Sequence, residues 1–377
     1  MSGVSFALNQ LTMIDSPKFP KGNQGKTMRK KSSPFASTLA CLKKFRNRFR
    51  GQPLSSLRVI TIGLAWLATI FILGCQGTNN SASAERKPPP KLSSLQPAVP
   101  FEGRIVFHSD FDGDYELYLL TKKGIKKLTD NTWDDVCGKW SPDGQKIAFA
   151  ANPSGKFEIF TMRADGSQIT QVTHELQNPI GHPGHAWTPE GQAIVYTVYR
   201  KRGFIRRFWM KIIDLKTRRS RRFIPEFKAS HGIPDLCPTA PLLAFTGKRR
   251  RGWDAALFNL KTRESRFLTE GGQSCRPHFS HDGRKLAYVS AEADHKADIW
   301  LMNPDGTNKH RLTKLDETYE YFPAWSPDDK FIVFSLVDHY GDDLSGQWAL
   351  YVVEVQTGRV SLLLDTPGAD LFPHWAK

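Results

Sequence analysis

Six copies of a unit of about 46 residues, built of short alternating strands, predict an all-β chain: a six-bladed β-propeller with four strands per blade. Apolar strands recur as RIVFHS from Arg104, KIAFAA from Lys146, AIVYTV from Ala193, LLAFTG from Leu242, KLAYVS from Lys285 and FIVFSL from Phe331. Their starts lie 42, 47, 49, 43 and 46 residues apart. A turn signature, WSPDG at Trp140–Gly144, returns as WTPEG from Trp187, FSHDG from Phe279 and WSPDD from Trp325. β-Branched and aromatic residues at period two, bounded by Gly, Asn, Asp and Pro, argue strands throughout, and no helical period competes.

Each unit can be justified strand by strand. The recurring apolar strand is the second of its blade. After a polar loop comes a third strand, such as YELYLL, FEIFTM, DIWLMN or ALYVVE. A turn follows, then an outer strand ending in KKLT, TQVT, RFLT or HRLT. The innermost strand of the next blade ends in the Trp-Ser-Pro-Asp-Gly signature, where Pro fixes φ and Asp-Gly closes a tight turn onto the second strand. The propeller therefore opens on a second strand and closes on an orphan innermost strand, PHWA at Pro373–Ala376. Adding that strand to blade one completes six blades and removes the two free edges. Blade four is degenerate, with LCPTAPLLAF in place of the signature.

The chain ahead of the propeller has its own logic. Residues 1–75 hold twelve Lys/Arg and Asp15 as their one acid, which is +11 of the chain's +16. The other 302 residues carry only +5, which weakens a nucleic-acid reading. Lys/Arg-rich segments precede an apolar core over residues 59–74, short for a bilayer span and typical of a signal segment. The core ends in ILGC at Ile72–Cys75 and turns polar at once, which resembles the lipobox of bacterial lipoproteins. That resemblance implies cleavage before Cys75, lipidation of Cys75 and a lipid anchor outside the cytoplasm. An uncleaved signal anchor is the alternative, and both put the mature chain on the same side. The 58 residues before the core are long for a signal peptide, and Met28 is an alternative start. Gln76 resembles the outer-membrane sorting pattern where a second membrane exists. Residues 76–100, rich in Ser, Asn, Pro and Lys, read as a disordered tether.

The order WSPDG–KIAF…EIF–RADG…QVT resembles the TolB-type propeller repeat over residues 101–377. The resemblance implies a periplasmic or envelope-bound propeller used for protein–protein contacts. The chain departs from that family's pattern in lacking a separate α/β domain before the propeller and in its expected lipid anchor. Together these predict a monomeric, non-enzymatic interaction protein of the cell envelope, binding an envelope protein or an anionic polymer and needing no cofactor.

Strand order divides the loops between two faces. The signature turns share one face, and the longer, more varied loops after second and fourth strands share the other, where binding is expected. On that loop face, YRKRGFIRR at Tyr199–Arg207 and GKRRRG at Gly247–Gly252 come from neighbouring blades. Residues 200–251 carry sixteen Lys/Arg against Asp214, Glu226 and Asp235, so the rest of the mature chain is at −8. Arg200, Arg202, Arg206, Arg207, Arg249, Arg250 and Arg251 are thus candidates to dock an anionic partner, the alternative being solvated loops. RRSRR at Arg218–Arg222 is expected on the opposite face.

Other side chains were candidates for chemistry. His182, His185, His231, His278 and His374 fall in or just before innermost strands. Propeller lyases acting on uronate oligosaccharides resemble this fold and bind a metal through such histidines, which makes a metal-dependent carbohydrate lyase or hydrolase at the channel mouth the alternative function. Histidines satisfied by ordinary hydrogen bonds are the competing account, and no metal is expected. DFDGDYE at Asp110–Glu116 alternates acids as a calcium loop does, without the full pattern. Cys237 and Cys275 could pair in an oxidising compartment, or, with Cys137, lie buried as small apolar residues. No Ser-His-Asp spacing and no phosphate loop stands out, so no catalytic residue is assigned.

Overall fold

The signature turn folds by local hydrogen bonding. In blade two Ser141 Oγ donates to Asp143 Oδ1 (2.5 Å) and accepts from Lys146 N (2.9 Å), while Gly144 takes φ 66°. The pair recurs as Ser280–Asp282 and Ser326–Asp328, each at 2.7 Å. Ser and Asp therefore brace the reversal that Pro initiates, and Gly supplies the left-handed residue that closes it. The motif is structural.

The computed structural model describes residues 95–174, 184–202, 205–338 and 346–377, and these form six antiparallel four-stranded sheets. Blade two runs Asp135–Trp140, Lys146–Ala151, Glu158–Arg163 and Thr170–Gln171 from the centre outward. Blade three runs His185–Trp187, Ala193–Arg202, Ile205–Asp214 and Ser220–Arg222. Blade four runs His231–Leu236, Leu242–Lys248, Trp253–Asn259 and Ser265–Phe267. Blade five runs Ser274–Phe279, Leu286–Ser290, Asp298–Met302 and His310–Arg311, and blade six Tyr319–Trp325, Phe331–Val337, Ala349–Glu354 and Val360–Leu364. The final strand, Leu371–Ala376, joins Arg104–Ser109, Glu116–Thr121 and Gly124–Lys127 as the innermost strand of blade one. The ring closes as the sequence predicts. The leader, with Cys75 and the apolar core, lies outside the described residues, as does His182. Residues 95–100, read as the end of the tether, run along the rim, where Ala98 N donates to Leu363 O (2.7 Å).

The core lies between blades. One cluster joins Ala148, Ile159 and Trp187 to Ile194 and Tyr196, and another joins Ile299 and Leu301 to Trp325, Phe334 and Trp348. The signature Trp also makes a directional contact. Trp187 Nε1 donates to Lys139 O and Trp325 Nε1 to His278 O, both at 3.0 Å, so each indole clasps the innermost strand of the preceding blade. Trp140 is equally buried, but its Nε1 meets no acceptor among the described residues.

A second latch explains the recurring Thr at the outer-strand ends. Thr129, Thr173, Thr269 and Thr313 are buried, and each hydroxyl accepts a backbone N–H at 2.9–3.0 Å from Leu117, Ile159, Ala255 or Ile299. Thr173 donates to Glu158 (2.5 Å) and Thr269 to Asp254 (2.9 Å), buried carboxylates at the start of the third strand. Glu116 and Asp298 hold the same place in blades one and five. Burial of these acids is tolerable because each is hydrogen-bonded.

Candidate functional site

Among the described residues the candidate histidines do not converge. His185 is buried, with Nε2 3.2 Å from Ala148 O. His231 replaces the Thr latch in blade three: Met210 N donates to its Nε2 (3.3 Å), and its Nδ1 lies 2.7 Å from Ala229 O. Burial lowers the His231 pKa to about 4, so the ring stays neutral and donates from Nδ1. Among the described histidines, His278 and His374 approach each other, with ring centroids 5.7 Å apart in the channel. No three His, Cys, Asp or Glu side chains are grouped as metal ligands among the described residues.

The channel owes its lining to a repeated β-bulge. Register shifts in five innermost strands at Cys137, Ile233, Arg276, Phe322 and Phe372, each with φ between 52° and 60°. The bulge residues, with Lys139, His278, Ala324 and His374, line a central cavity of about 60 Å³. Phe322 and Phe372 stack at 3.6 Å, and the Arg276 guanidinium lies over both rings at 4.5 and 5.1 Å. Toward the signature face a funnel of about 430 Å³ opens between Lys139, Asp235, His278, His374 and the Trp140 turn. Burial lowers the Lys139 and His278 pKa values.

Among the described residues no disulfide forms: Cys137 and Cys237 are buried and Cys275 half-buried, and the possible Cys237–Cys275 pair is not bridged. Burial pushes the Cys137 thiol up to about 12. The calcium-like segment is occupied by a protein cation. Lys127 Nζ lies 2.6 Å from Asp112 and from Asp130, and 3.8 Å from Glu116. In blade five and the loop after it, Arg311 lies 2.7 Å from Asp294 and Asp298, and Lys296 lies 2.7 Å from Glu317.

The arginine cluster has no such neutralisation by the acids of its own segment. The second and third strands of blade three run to ten residues each and project as a hairpin, placing Arg200 opposite Arg207 and Lys201 opposite Arg206. Like charges directly opposite are destabilising in an antiparallel pair, so the arrangement costs stability where it stands. Arg200, Arg202, Arg206, Arg207, Arg250 and Arg251 are exposed, and Arg249 is half-buried. The Arg200 guanidinium lies 5.9 Å from the Trp209 ring, and Arg207 donates to Lys228 O (2.9 Å). Arg249 donates to Thr269 O (3.3 Å) and lies over Phe267 at 5.0 Å. Phe208 and Trp253 meet edge to face at 5.9 Å, linking the hairpin to the blade-four loop.

All three acids of the segment are engaged elsewhere. Asp214 accepts from Lys216 N (3.1 Å) and Thr217 N (2.7 Å) in a turn. Glu226 is paired with Arg263 at 2.8 Å. Asp235 accepts from Phe279 N (2.7 Å) at the channel.

Comparison with known proteins agrees with this architecture. Residues 178–340 match the family model of the TolB beta propeller domain. The chain carries a TolB-like propeller. It is 37% identical over 74 residues to the Tol-Pal system protein TolB of Nitratidesulfovibrio vulgaris, covering 20% of this chain and 16% of that one. Against dipeptidyl-peptidase 5 of Porphyromonas endodontalis it is 24% identical over 251 residues, 59% of this chain and 32% of the peptidase. The chain thus spans about a third or less of the length of these curated relatives. The crystal structure of TolB from Acinetobacter baumannii aligns with TM-score 0.60 and 20% identity over 74% of this chain and 68% of that one. A putative TolB from Agrobacterium tumefaciens aligns with TM-score 0.53 and 15% identity over 74% of this chain and all of that one. These alignments bear on the fold of the TolB-like propeller.

Proposed function

We propose that this TolB-like propeller is a non-enzymatic interaction module of the cell envelope, lipid-anchored through Cys75, that docks an anionic partner on the loop face of blades three and four. One observation carries the reading. The arginines project from a rigid sheet, while every acid of their own segment is engaged elsewhere. Like charge concentrated on one part of a rigid scaffold is a standing electrostatic field, and such a field steers and orients an oppositely charged partner. The ion pairs of the acidic loops on blades one and five support the contrast.

The test is capture from solubilised envelope by the wild-type protein and by the triple variant Arg249→Glu, Arg250→Glu, Arg251→Glu. Loss of specific partners by the variant supports docking at this face; an unchanged set excludes it. A Cys75→Ser protein is expected to lose metabolic lipid label, and retention of that label would remove the anchor from the proposal.

A further inference from the structure

The innermost strands bring one residue of each blade to the same level of the channel. Lys139, Ala186, Asp235, His278, Ala324 and His374 each pair with the third residue of the repeated apolar segment, such as Ala148 in blade two and Val106 in blade one. This tier lines the funnel. Two residues earlier, Arg276, Phe322 and Phe372 belong to the tier of bulges. Lys139, His278, Ala324 and His374 line both the funnel and the cavity of about 60 Å³, so the two spaces share a wall. The charged side chains lining that cavity are Lys139 and Arg276, and no acid lines it among the described residues. Asp235 stands in the funnel, where it accepts from Phe279 N (2.7 Å) and lies 3.7 Å from His278 Nε2. Among the described residues neither Lys139 nor Arg276 has an ion pair, and Arg276 Nε and both His278 ring nitrogens are buried without a hydrogen-bond partner. Burial lowers the Lys139 pKa, against the pull of Asp235 and with the push of Arg276. Two unpaired cations facing one cavity repel each other and lack the hydration they would have in water, and an anion between them offsets both penalties.

We infer that the central channel is a binding site for a small aliphatic monocarboxylate, held between the Arg276 guanidinium and the Lys139 ammonium and reached through the funnel. The inference stands apart from the docking reading, since none of the loop-face arginines lines this cavity. Size selects the ligand: about 60 Å³ holds roughly four to six water-sized groups, which is the scale of acetate or propionate. A guanidinium fork matches the two oxygens of a carboxylate, and the ammonium meets the same charge as a point donor. Stacking on Phe322 and Phe372 holds the Arg276 guanidinium in place before any ligand arrives. Phe322, Pro323, Phe372 and Pro373 make the rest of the wall apolar, which suits the carbon end of a monocarboxylate and leaves the outer oxygens of phosphate or sulfate without donors. His374 Nδ1 accepts from Trp140 N (3.4 Å), and burial keeps that ring neutral, so its proton is on Nε2 and available as a further donor.

The experiment follows thermal melts of the full-length protein in detergent with sodium propionate, sodium chloride or sodium phosphate at matched ionic strength. Propionate is expected to raise the melting temperature saturably, by roughly 5 °C at a hundredfold excess over its Kd, while chloride and phosphate do not. Lys139→Met and Arg276→Gln should each lose that rise while still melting cooperatively. Arg284→Ala, which removes an exposed cation from the blade-five signature turn, should keep it. A wild-type protein indifferent to propionate, an equal rise in chloride or phosphate, or an undiminished rise in both channel variants overturns the site. A partner's C-terminal carboxylate entering by the funnel would present the same group, so acetyl-Gly-Ala is titrated alongside with its terminus free or amidated. Stabilisation by propionate and not by the free-acid peptide supports a free monocarboxylate. Stabilisation by the free-acid peptide and not by propionate overturns it in favour of a chain end.

Discussion

The paired substitutions Trp325→Phe and Trp140→Phe separate the two things a signature tryptophan does. Both side chains are buried, 1% and 4% exposed, and both pack into inter-blade clusters. Phe keeps an aromatic ring in each place, so the packing loss common to both is on the order of 1–2 kcal/mol. The difference is the indole N–H. Trp325 donates to His278 O at 3.0 Å, and its removal strips that carbonyl of a donor, adding about 1–3 kcal/mol. Trp140 Nε1 has no acceptor among the described residues, so deleting it removes a buried, unsatisfied donor. Its Phe variant forgoes part of the stacking of Arg104, which lies 4.5 Å from the ring, about 0.5–1 kcal/mol. The expected gap is about 2 kcal/mol, with Trp325→Phe the less stable. In a domain of this size that is roughly 4–8 °C in Tm, read by thermal melts followed by circular dichroism. Equal losses, or a larger loss for Trp140→Phe, would refute the clasp.

Three further outcomes follow from buried polar groups. Burial raises Asp370 to about 7 and also raises Asp135 and Glu320. A carboxyl raised on folding stabilises the protonated native state at low pH and loses that contribution as pH climbs through the folded value. The melting temperature should therefore fall between pH 5 and pH 9, and Glu320→Gln should flatten the decline; a rise over that window contradicts the assignment. Thr269→Val removes a hydroxyl that bonds both Asp254 and Ala255 N, and should cost about 2–4 kcal/mol in chemical denaturation, with a loss below 1 kcal/mol disproving the latch. Asp329→Gly restores the repeat's consensus and relieves a φ of 57°, a gain of about 1 kcal/mol. It also deletes bonds from His281 N, His281 Nδ1 and Asp282 N at 2.8–3.0 Å, so a net loss of about 1 kcal/mol is expected, and a more stable variant would show the inter-blade clasp to be idle.

Periodicity made the blades legible, because a strand buried on one sheet face must repeat its apolar residues at period two wherever it occurs. PHWA identified the closing strand for the same reason: an innermost strand without a turn has nowhere to go but blade one. The sequence also displayed the outer-strand Thr four times, yet not its role, since the carboxylate it meets lies on a different strand in every case. Departures from the repeat were harder still. His281 stands where Pro is usual and Asp329 where Gly is usual, and only their 3.0 Å contact shows that the two exceptions explain each other. His231 was a candidate channel ligand only by its strand position, with ordinary hydrogen bonding as the competing account. Its side chain instead turns toward blade three, whose Thr position is Ile224.

That exchange in blade three connects the fold to the proposed docking face. In blades one, two, four and five a buried acid opens the third strand: Glu116, Glu158, Asp254 and Asp298. The backbone bond from Phe223 N to Met210 O puts Trp209 in the corresponding place in blade three. An acid there would sit on the same sheet face as Arg200 and Arg207 and would pair with them, as Asp298 pairs with Arg311 in blade five. With Trp209 in the acid's place, His231 supplies the hydrogen bond that Thr makes elsewhere, so the blade keeps its latch without placing an acid beside Arg200 and Arg207. Trp209→Glu tests this link directly. It should draw Arg200 and Arg207 into internal pairs, lowering affinity for an anionic probe several-fold while leaving the melting temperature within a few degrees of wild type. Undiminished anion binding by that variant would show that the tryptophan has no part in keeping the arginines available.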